Sequence, residues 1–487
     1  MRFSFRARIL FLIAFFALFV LAACSSRSPL PIAITHVTVI DVAQGQSLPD
    51  STVIVSERRI TQVGPSLSVN IPGNAKMLDG TGKYLIPGLA DMHLHLTGAG
   101  EPTGSREFFL PLLVANGVTT VRDMGGKVEY LKKLREEIDS GKRLGPRIFF
   151  TGPYLDGDPP GYQPAIVVRN ASDAHQTVAE LKPQGVDFIK VQSRLSREAY
   201  FAIARESQTQ QIRFVGHVPD TVSALEAADA GQASIEHLTG ILVATSSREE
   251  ELRRRQLAAG PPNESVDAAL ERSRTWQRDV LESLSLQKSA ALLNAFVKNH
   301  TAQVPTFPVL VHMGFLTPET DLRGDPRSKY LSSELRKIWE QGRKGGLEHR
   351  TETDFALRRE IVQRSLEIVG KMNAAGIAIM AGTDAAAPNV FPGFSLHEDL
   401  EFLVKAGLTP LQALQAATRN PARFLARANQ GTIAAGQCAD LVLLDANPLQ
   451  DIRNTQQVRA VVLNGQLLER RDLDTLLGSA AHFAATH

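Results

Sequence analysis

Eight short apolar runs punctuate the chain, and helical periodicity fills most of the intervals between them. The runs lie at 85–90, 118–122, 147–151, 187–191, 213–217, 233–236, 304–311 and 377–382. The helical patterns lie at 128–139, 171–182, 196–210 and 221–230. Strands separated by helices pair in parallel, because a helix carries the chain back across the sheet before the next strand begins. Eight such units close into a (β/α)8 TIM-like barrel. An open doubly wound sheet is the alternative, but no G-x-G-x-x-G follows the first strand. The sixth and seventh runs are about 65 residues apart, as are the seventh and eighth. Excess of that size marks functional loops or lids. The charge run Arg248 to Arg255 inside the first of them reads as a solvated helix face.

Both flanks of this region look different. Ile34 to Val42 and Ser51 to Val63 are rich in Val, Ile and Thr, with Gly and Pro at the turns. Ala439 to Asp445 and Val458 to Leu468 have the same character, with a turn at Asn464-Gly465. The expected organisation is a small β-sandwich domain built from both chain ends, 32–85 plus 431–470, around a barrel at 86–430. Residues 471–487 are read as a tail.

The first 23 residues read as an address. Arg2, Arg6 and Arg8 precede the unbroken apolar run Ile9 to Ala23, 15 residues long. That length suits a signal-peptide core and falls short of the roughly 20 residues a spanning helix needs. Leu21-Ala22-Ala23-Cys24 follows, then the polar stretch Ser25 to Pro29. Small residues before a cysteine resemble the lipobox of bacterial lipoproteins. The resemblance implies cleavage before Cys24, lipidation of Cys24 and a tether at 24–31. Ser25 in place of an acid resembles the outer-membrane sorting pattern, which implies a lipid-anchored envelope protein facing the periplasm. The net charge is +2, and the three arginines of this segment have no acid beside them. The body is therefore near neutral, which argues against nucleic acid as a partner. With only Cys24 and Cys438 present, no disulfide framework is available.

The chemistry gathers at the ends of the runs. Pro87 to His95 holds His93 and His95, and residues i and i+2 of a strand face the same side, so the two imidazoles can meet one metal ion. The fourth strand region carries Lys190, the fifth ends in His217, the sixth in His237 and the eighth in Asp384. Six potential ligands thus come from five strand ends, all on the face where barrels build their active sites.

This order resembles the amidohydrolase superfamily of metal-dependent hydrolases. Asp187-Phe188-Ile189-Lys190, Gly216-His217-Val218-Pro219 and Ser395 to Leu400 resemble its imidazolonepropionase-like and dipeptidase-like branch most closely. The resemblance implies two divalent cations, zinc by default. His93, His95 and Asp384 would hold one, and His217 and His237 the other. Lys190, carboxylated by CO₂, would bridge them, since an ammonium has only donors and a carbamate offers two anionic oxygens. It further implies that a hydroxide between the ions attacks the amide of a small-molecule substrate, a dipeptide or N-acyl amino acid. Asp384 would serve as general base and then acid. A one-metal deaminase or cyclic-amide hydrolase, a lactonase and a non-catalytic envelope binding protein are the other readings.

The chain departs from the dipeptidases in lacking their Gly-Gly-His element after the third strand, where Thr151-Gly152-Pro153-Tyr154 stands. Tyr154 either packs or donates to an oxyanion in its place. His312 and His397 are weaker candidates for substrate contact. Arg122 and Arg194 read as surface ion-pairing residues, with a substrate carboxylate as the other use.

Overall fold

The computed structural model describes residues 30–98, 106–258, 260–261, 263–316 and 324–487. The basic segment, the apolar run and Cys24 lie outside the described residues. Among those described, no helix is long and apolar enough to cross a membrane. The strands in chain order are β1 (Ile32–Asp41), β2 (Gln46–Ser56), β3 (Arg59–Pro65), β4 (Lys76–Asp79), β5 (Tyr84–Pro87), β6 (Leu89–Leu94), β7 (Val118–Asp123), β8 (Arg147–Phe150), β9 (Tyr154–Asp156) and β10 (Ala165–Val167). Then follow β11 (Ile189–Val191), β12 (Phe214–Gly216), β13 (Ser234–Glu236), β14 (Ala302–Val304), β15 (Leu441–Leu444), β16 (Val458–Leu463) and β17 (Gln466–Glu469).

Strands from both ends of the chain share one sheet, ordered β17-β16-β15-β5-β1-β2-β3, with β4 alongside β1. Period-2 alternation divides its side chains between two cores. Leu441 and Leu443 join Ile34, Val37, Val53 and Val462 in a core internal to this β layer. Val442 and Leu444 point the other way and join the core shared with the barrel helices. Full burial of each such side chain stabilises the fold by about 1.5–3 kcal/mol. Asn464 and Gly465 both take positive φ, which suits the tight hairpin between β16 and β17.

The barrel is a TIM-like ring of parallel strands. β6, β7 and β8 form one sheet, and β9, β11, β12, β13 and β14 form another, with β10 at its edge. The two meet where Asp187 N–H donates to the Phe150 carbonyl at 2.8 Å. Residues 377–385 close the ring. They bond β14 through Met380 N–H to Gln303 O and meet β6 through Met92 N–H to Ala381 O, both at 2.9 Å. The helices Val128–Asp139, Ala171–Leu181, Arg197–Thr209 and Ala224–Asp229 occupy the intervals with helical periodicity.

Three expectations need correction. The seventh run, 304–311, is not one strand: β14 ends at Val304, Thr306 turns the chain with φ +51°, and Phe307–Gly314 is a helix with Pro308 in its first turn. A continuous apolar run has the same composition whether it enters a core as strand or helix, and here Pro305 breaks it. The eighth run forms no continuous strand: it bridges β14 at Ile379, and Ala385 just beyond it bridges β6. The segment 471–487, read as a tail, is helical up to Thr486. It belongs to a helix, Arg470–Thr486, whose Phe483 stacks on Phe108 with centroids 5.4 Å apart.

The two long connections are helical. Ile241–Ala244, Glu249–Leu257, Val266–Glu282 and Leu286–Asn299 precede β14, and Ser333–Leu347 and Glu352–Ala374 follow it. The charge run pairs along its helix face, with Arg248 on Glu251 at 2.6 Å.

Candidate metal centre

His93, Lys190, His217, His237 and Asp384 come to the same end of the barrel because each stands at or just beyond the carboxyl end of its extended segment. All of them, with His95, line one cavity of about 440 Å³. His95 Nε2 lies 3.2 Å and His93 Nε2 lies 3.6 Å from Asp384 Oδ1. These three residues can offer donor atoms within 4.8 Å of one another. The His93 and His237 rings are 4.4 Å apart, and those of His217 and His237 are 5.0 Å apart.

Partners behind the rings decide which nitrogen faces the cavity. His93 Nδ1–H donates to Glu236 Oε2 at 2.8 Å. His237 Nδ1 is 2.6 Å from Thr306 Oγ1, whose own hydroxyl donates to the Pro305 carbonyl, so the threonine oxygen accepts. Ser193 Oγ lies 2.8 Å from His217 Nδ1. In each ring Nε2 is left for the cavity, and His93 Nε2 is buried with no hydrogen-bond partner. Metal-ligating histidines are oriented this way. Burial, aided by Lys190 and neighbouring rings, holds His93 and His217 well below the usual imidazole range. Burial likewise takes His237 down to about 4. The neutral form is the ligating form, so this donor set fits a divalent cation.

The Lys190 amine is buried, and burial brings it down to about 8 although Glu236 and Asp384 oppose the shift. An appreciable neutral fraction at physiological pH follows, and the neutral amine is the form that adds CO₂. Burial pushes the Asp384 carboxyl up, but His237, His95 and Lys190 more than offset this and hold it ionised. His237, Thr306 and Asp384 all have φ between +51° and +63°. Such left-handed backbone costs about 1–3 kcal/mol per non-glycine residue and persists where surroundings over-determine it. Gly216, at φ +129°, permits the approach of β12 to β11, since a Cβ there would lie 2.3 Å from the Val191 carbonyl oxygen.

Of the weaker candidates, Tyr154 lines the cavity with its hydroxyl 3.4 Å from His95 Nδ1, and burial raises its pKa, keeping the phenol protonated. Gly125 makes room for that ring, because a Cβ there would stand 2.2 Å from Tyr154 Cε1. His312 and His397 do not line the cavity. His312 faces Glu398 at 3.4 Å, on a helix whose Val309, Leu310 and Met313 take the cavity side. His397 is buried with Nδ1 on Thr455 Oγ1 at 2.9 Å.

Arg122 is no surface residue. It is fully buried between Phe188 and Phe424, donates to Glu236 Oε1 at 2.9 Å and to the Met92 carbonyl at 2.7 Å, and so supports the acid that orients His93. Glu236, Ser193 and Thr306 were not singled out from sequence. A signal existed for one of them: Glu236, like Arg122, stands inside a short strand run, and a charge buried there requires a partner. Asp91 and Asp399 secure the Asp384 segment, Asp91 Oδ2 accepting from Thr383 Oγ1 at 2.7 Å and Asp399 Oδ2 from Gly382 N–H at 3.1 Å.

Comparison with known proteins follows the same lines. The model of the amidohydrolase family matches residues 84–468. An adenine deaminase of Ruegeria pomeroyi is 31% identical over 100 residues, covering 20% of this chain and 16% of its own length. That match therefore spans under a fifth of the relative. The imidazolonepropionase of Idiomarina loihiensis is 23% identical over 419 residues, 81% of this chain and 85% of that one. Among solved structures, a Bifidobacterium longum protein assigned as a prolidase superposes with TM-score 0.65 at 26% identity, over 93% of this chain and 99% of its own. With a family model covering most of its length and the family's barrel beneath its histidines, the chain belongs to the amidohydrolase family.

Proposed function

We propose that this chain is a metal-dependent hydrolase that cleaves a carbon–nitrogen amide bond in a small substrate, a dipeptide or an N-acyl amino acid. The observation that carries the reading is that three neutral imidazoles present Nε2 to one cavity also lined by His95, Lys190 and Asp384. In this reading His93, His95 and Asp384 would hold one cation, His217 and His237 would hold a second, and Lys190, as a carbamate, would serve both. Bound there, divalent ions such as zinc activate water and polarise a carbonyl. Asp384 accepts a proton from the attacking water at a carboxylate oxygen and returns it to the departing nitrogen. Tyr154, kept protonated, donates to the oxygen of the reacting carbonyl. The prolidase-assigned neighbour supports an amide as the bond attacked.

One observation favours a second reading, a one-metal deaminase or cyclic-amide hydrolase. Among the described residues only His93, His95 and Asp384 gather donor atoms within 4.8 Å. Metal analysis separates the two. Protein lacking residues 1–24, purified with bicarbonate, is expected to hold about two ions per chain and to hydrolyse members of a dipeptide and N-acyl amino acid panel. One ion per chain, unaltered in Lys190→Ala, favours the second reading. The work site in this proposal is the cell envelope, with the chain held to the outer membrane through a lipid on Cys24. Support for that is the segment Ile9 to Cys24 and the polar residues after it.

A further inference from the structure

A second cavity, of about 300 Å³, adjoins the first. The two share Ser193, His237, Thr239 and Leu310, so they adjoin at these residues, beside the histidine cluster. Most of the walls of this annex come from the long connection before β14, with the segment after β12 and the helix Glu352–Ala374 completing them. Leu242, Val243, Trp276, Val280, Leu281 and Ile361 make them largely apolar. Trp276 is held in place by its indole N–H, which donates to the Leu252 carbonyl at 2.8 Å, and it packs on a cluster of Val243, Leu252 and Val280. The annex is therefore shaped by anchored side chains.

Two charged residues also line it, Arg253 and Asp220. Arg253 donates to the Asp220 backbone carbonyl at 2.8 Å, and the Asp220 carboxylate accepts from Gln256 at 2.8 Å. Both residues are thus engaged by neutral neighbours on the wall, and a charged ligand group entering among the apolar side chains would lose its water. An apolar group loses nothing and gains burial against Trp276 and the aliphatic wall.

We infer that the annex is the subsite for a large apolar group next to the scissile amide, so the preferred substrates carry an aromatic or branched aliphatic residue there. This rests on the hydrolytic reading above, and it names the substrate class of that site.

The test uses metal-loaded protein and two readouts. The first is kcat/KM on Ala-Gly, Ala-Lys, Ala-Leu and Ala-Phe. The expected ratio of Ala-Phe to Ala-Gly is at least tenfold, since each buried methylene in a fitted pocket discriminates by about 10-fold or more. Ala-Lys is expected to resemble Ala-Gly. Leu281→Phe and Ile361→Phe, on separate helices, each narrow the annex and are expected to lower the Phe-to-Gly ratio about tenfold. A ratio unaltered in both folded variants overturns the inference.

The second readout is intrinsic fluorescence. The chain has two tryptophans, Trp276 in the annex wall and Trp339 buried against Phe391. N-acetyl-L-leucinamide is expected to give a saturable change that N-acetylglycinamide does not, and both variants are expected to weaken it about tenfold. If none of the panel is hydrolysed but this binding pattern holds, the hydrolytic reading fails and the subsite stands. If the two probes behave alike, the subsite is overturned whatever the hydrolysis shows.

Discussion

His93 on the first barrel strand donates its Nδ1–H to Glu236 on the sixth, at 2.8 Å, across the interior of the barrel. Arg122 Nη2 holds the other oxygen of the same carboxylate at 2.9 Å, and all three side chains are almost fully buried. Glu236→Gln removes a buried charge and leaves Arg122 uncompensated. The expected loss of stability is about 3–5 kcal/mol, and the expected loss of metal affinity is about 10- to 100-fold. Denaturant titration and competition with a chelating dye measure the two. Adding Arg122→Met to Glu236→Gln is expected to recover part of the stability and none of the affinity. Recovery of both would show that Glu236 does not act through His93.

Lys190→Ala is expected to lower bound metal by about one ion per chain and to abolish hydrolysis. ¹³C-labelled bicarbonate is expected to give a carbamate carbonyl resonance in the native protein that is missing from the variant. The same resonance in both would remove Lys190 from the bridging position.

His397 offers a pH prediction away from the cavity. Burial lowers its pKa to about 4 from the ordinary 6.5, with Nδ1 on Thr455. The folded protein then binds fewer protons than the unfolded chain between those values, so this contribution to stability is complete above about pH 6.5 and is lost as pH falls towards 4. It amounts to about 3 kcal/mol. Unfolding free energies at pH 7 and pH 4.5 are expected to differ by roughly that much more in the native chain than in His397→Gln.

Tyr154→Phe removes a cavity hydroxyl and leaves the ring. As an oxyanion donor it is expected to matter in kcat, with a loss of about 100-fold and little change in KM. Gly125→Ala should displace the same ring, because the added methyl would stand 2.2 Å from it, and should copy the kinetic effect. An unchanged kcat in Tyr154→Phe assigns the tyrosine to packing.

Cys24→Ser, expressed with the full leader in a two-membrane bacterium, is expected to move the protein from the membrane fraction to the soluble periplasm. Intact mass of the native protein should start at Cys24 and include a lipid. A native protein that is already soluble would remove the anchor.

The parts of this fold legible in the sequence are those with a short period. The spacing of His93 and His95, the helix Val128–Asp139 and the division of Leu441 and Leu443 from Val442 and Leu444 follow from repeats of 2 and 3.6 residues, which local backbone geometry sets by itself. Tertiary structure alone decided the rest. Arg122, Glu236 and His93 are 114 and 143 residues apart in pairs, and Ser193 and Thr306 reach their histidines from 24 and 69 residues away. No local pattern encodes which donor lies behind which ring, because that depends on how barrel closure aligns neighbouring strands. The seventh run failed to declare itself for a related reason. An apolar stretch shows that it will be buried, but only the partners it meets decide whether Phe307 to Gly314 is buried as a strand or, as here, as a helix beside the cavity.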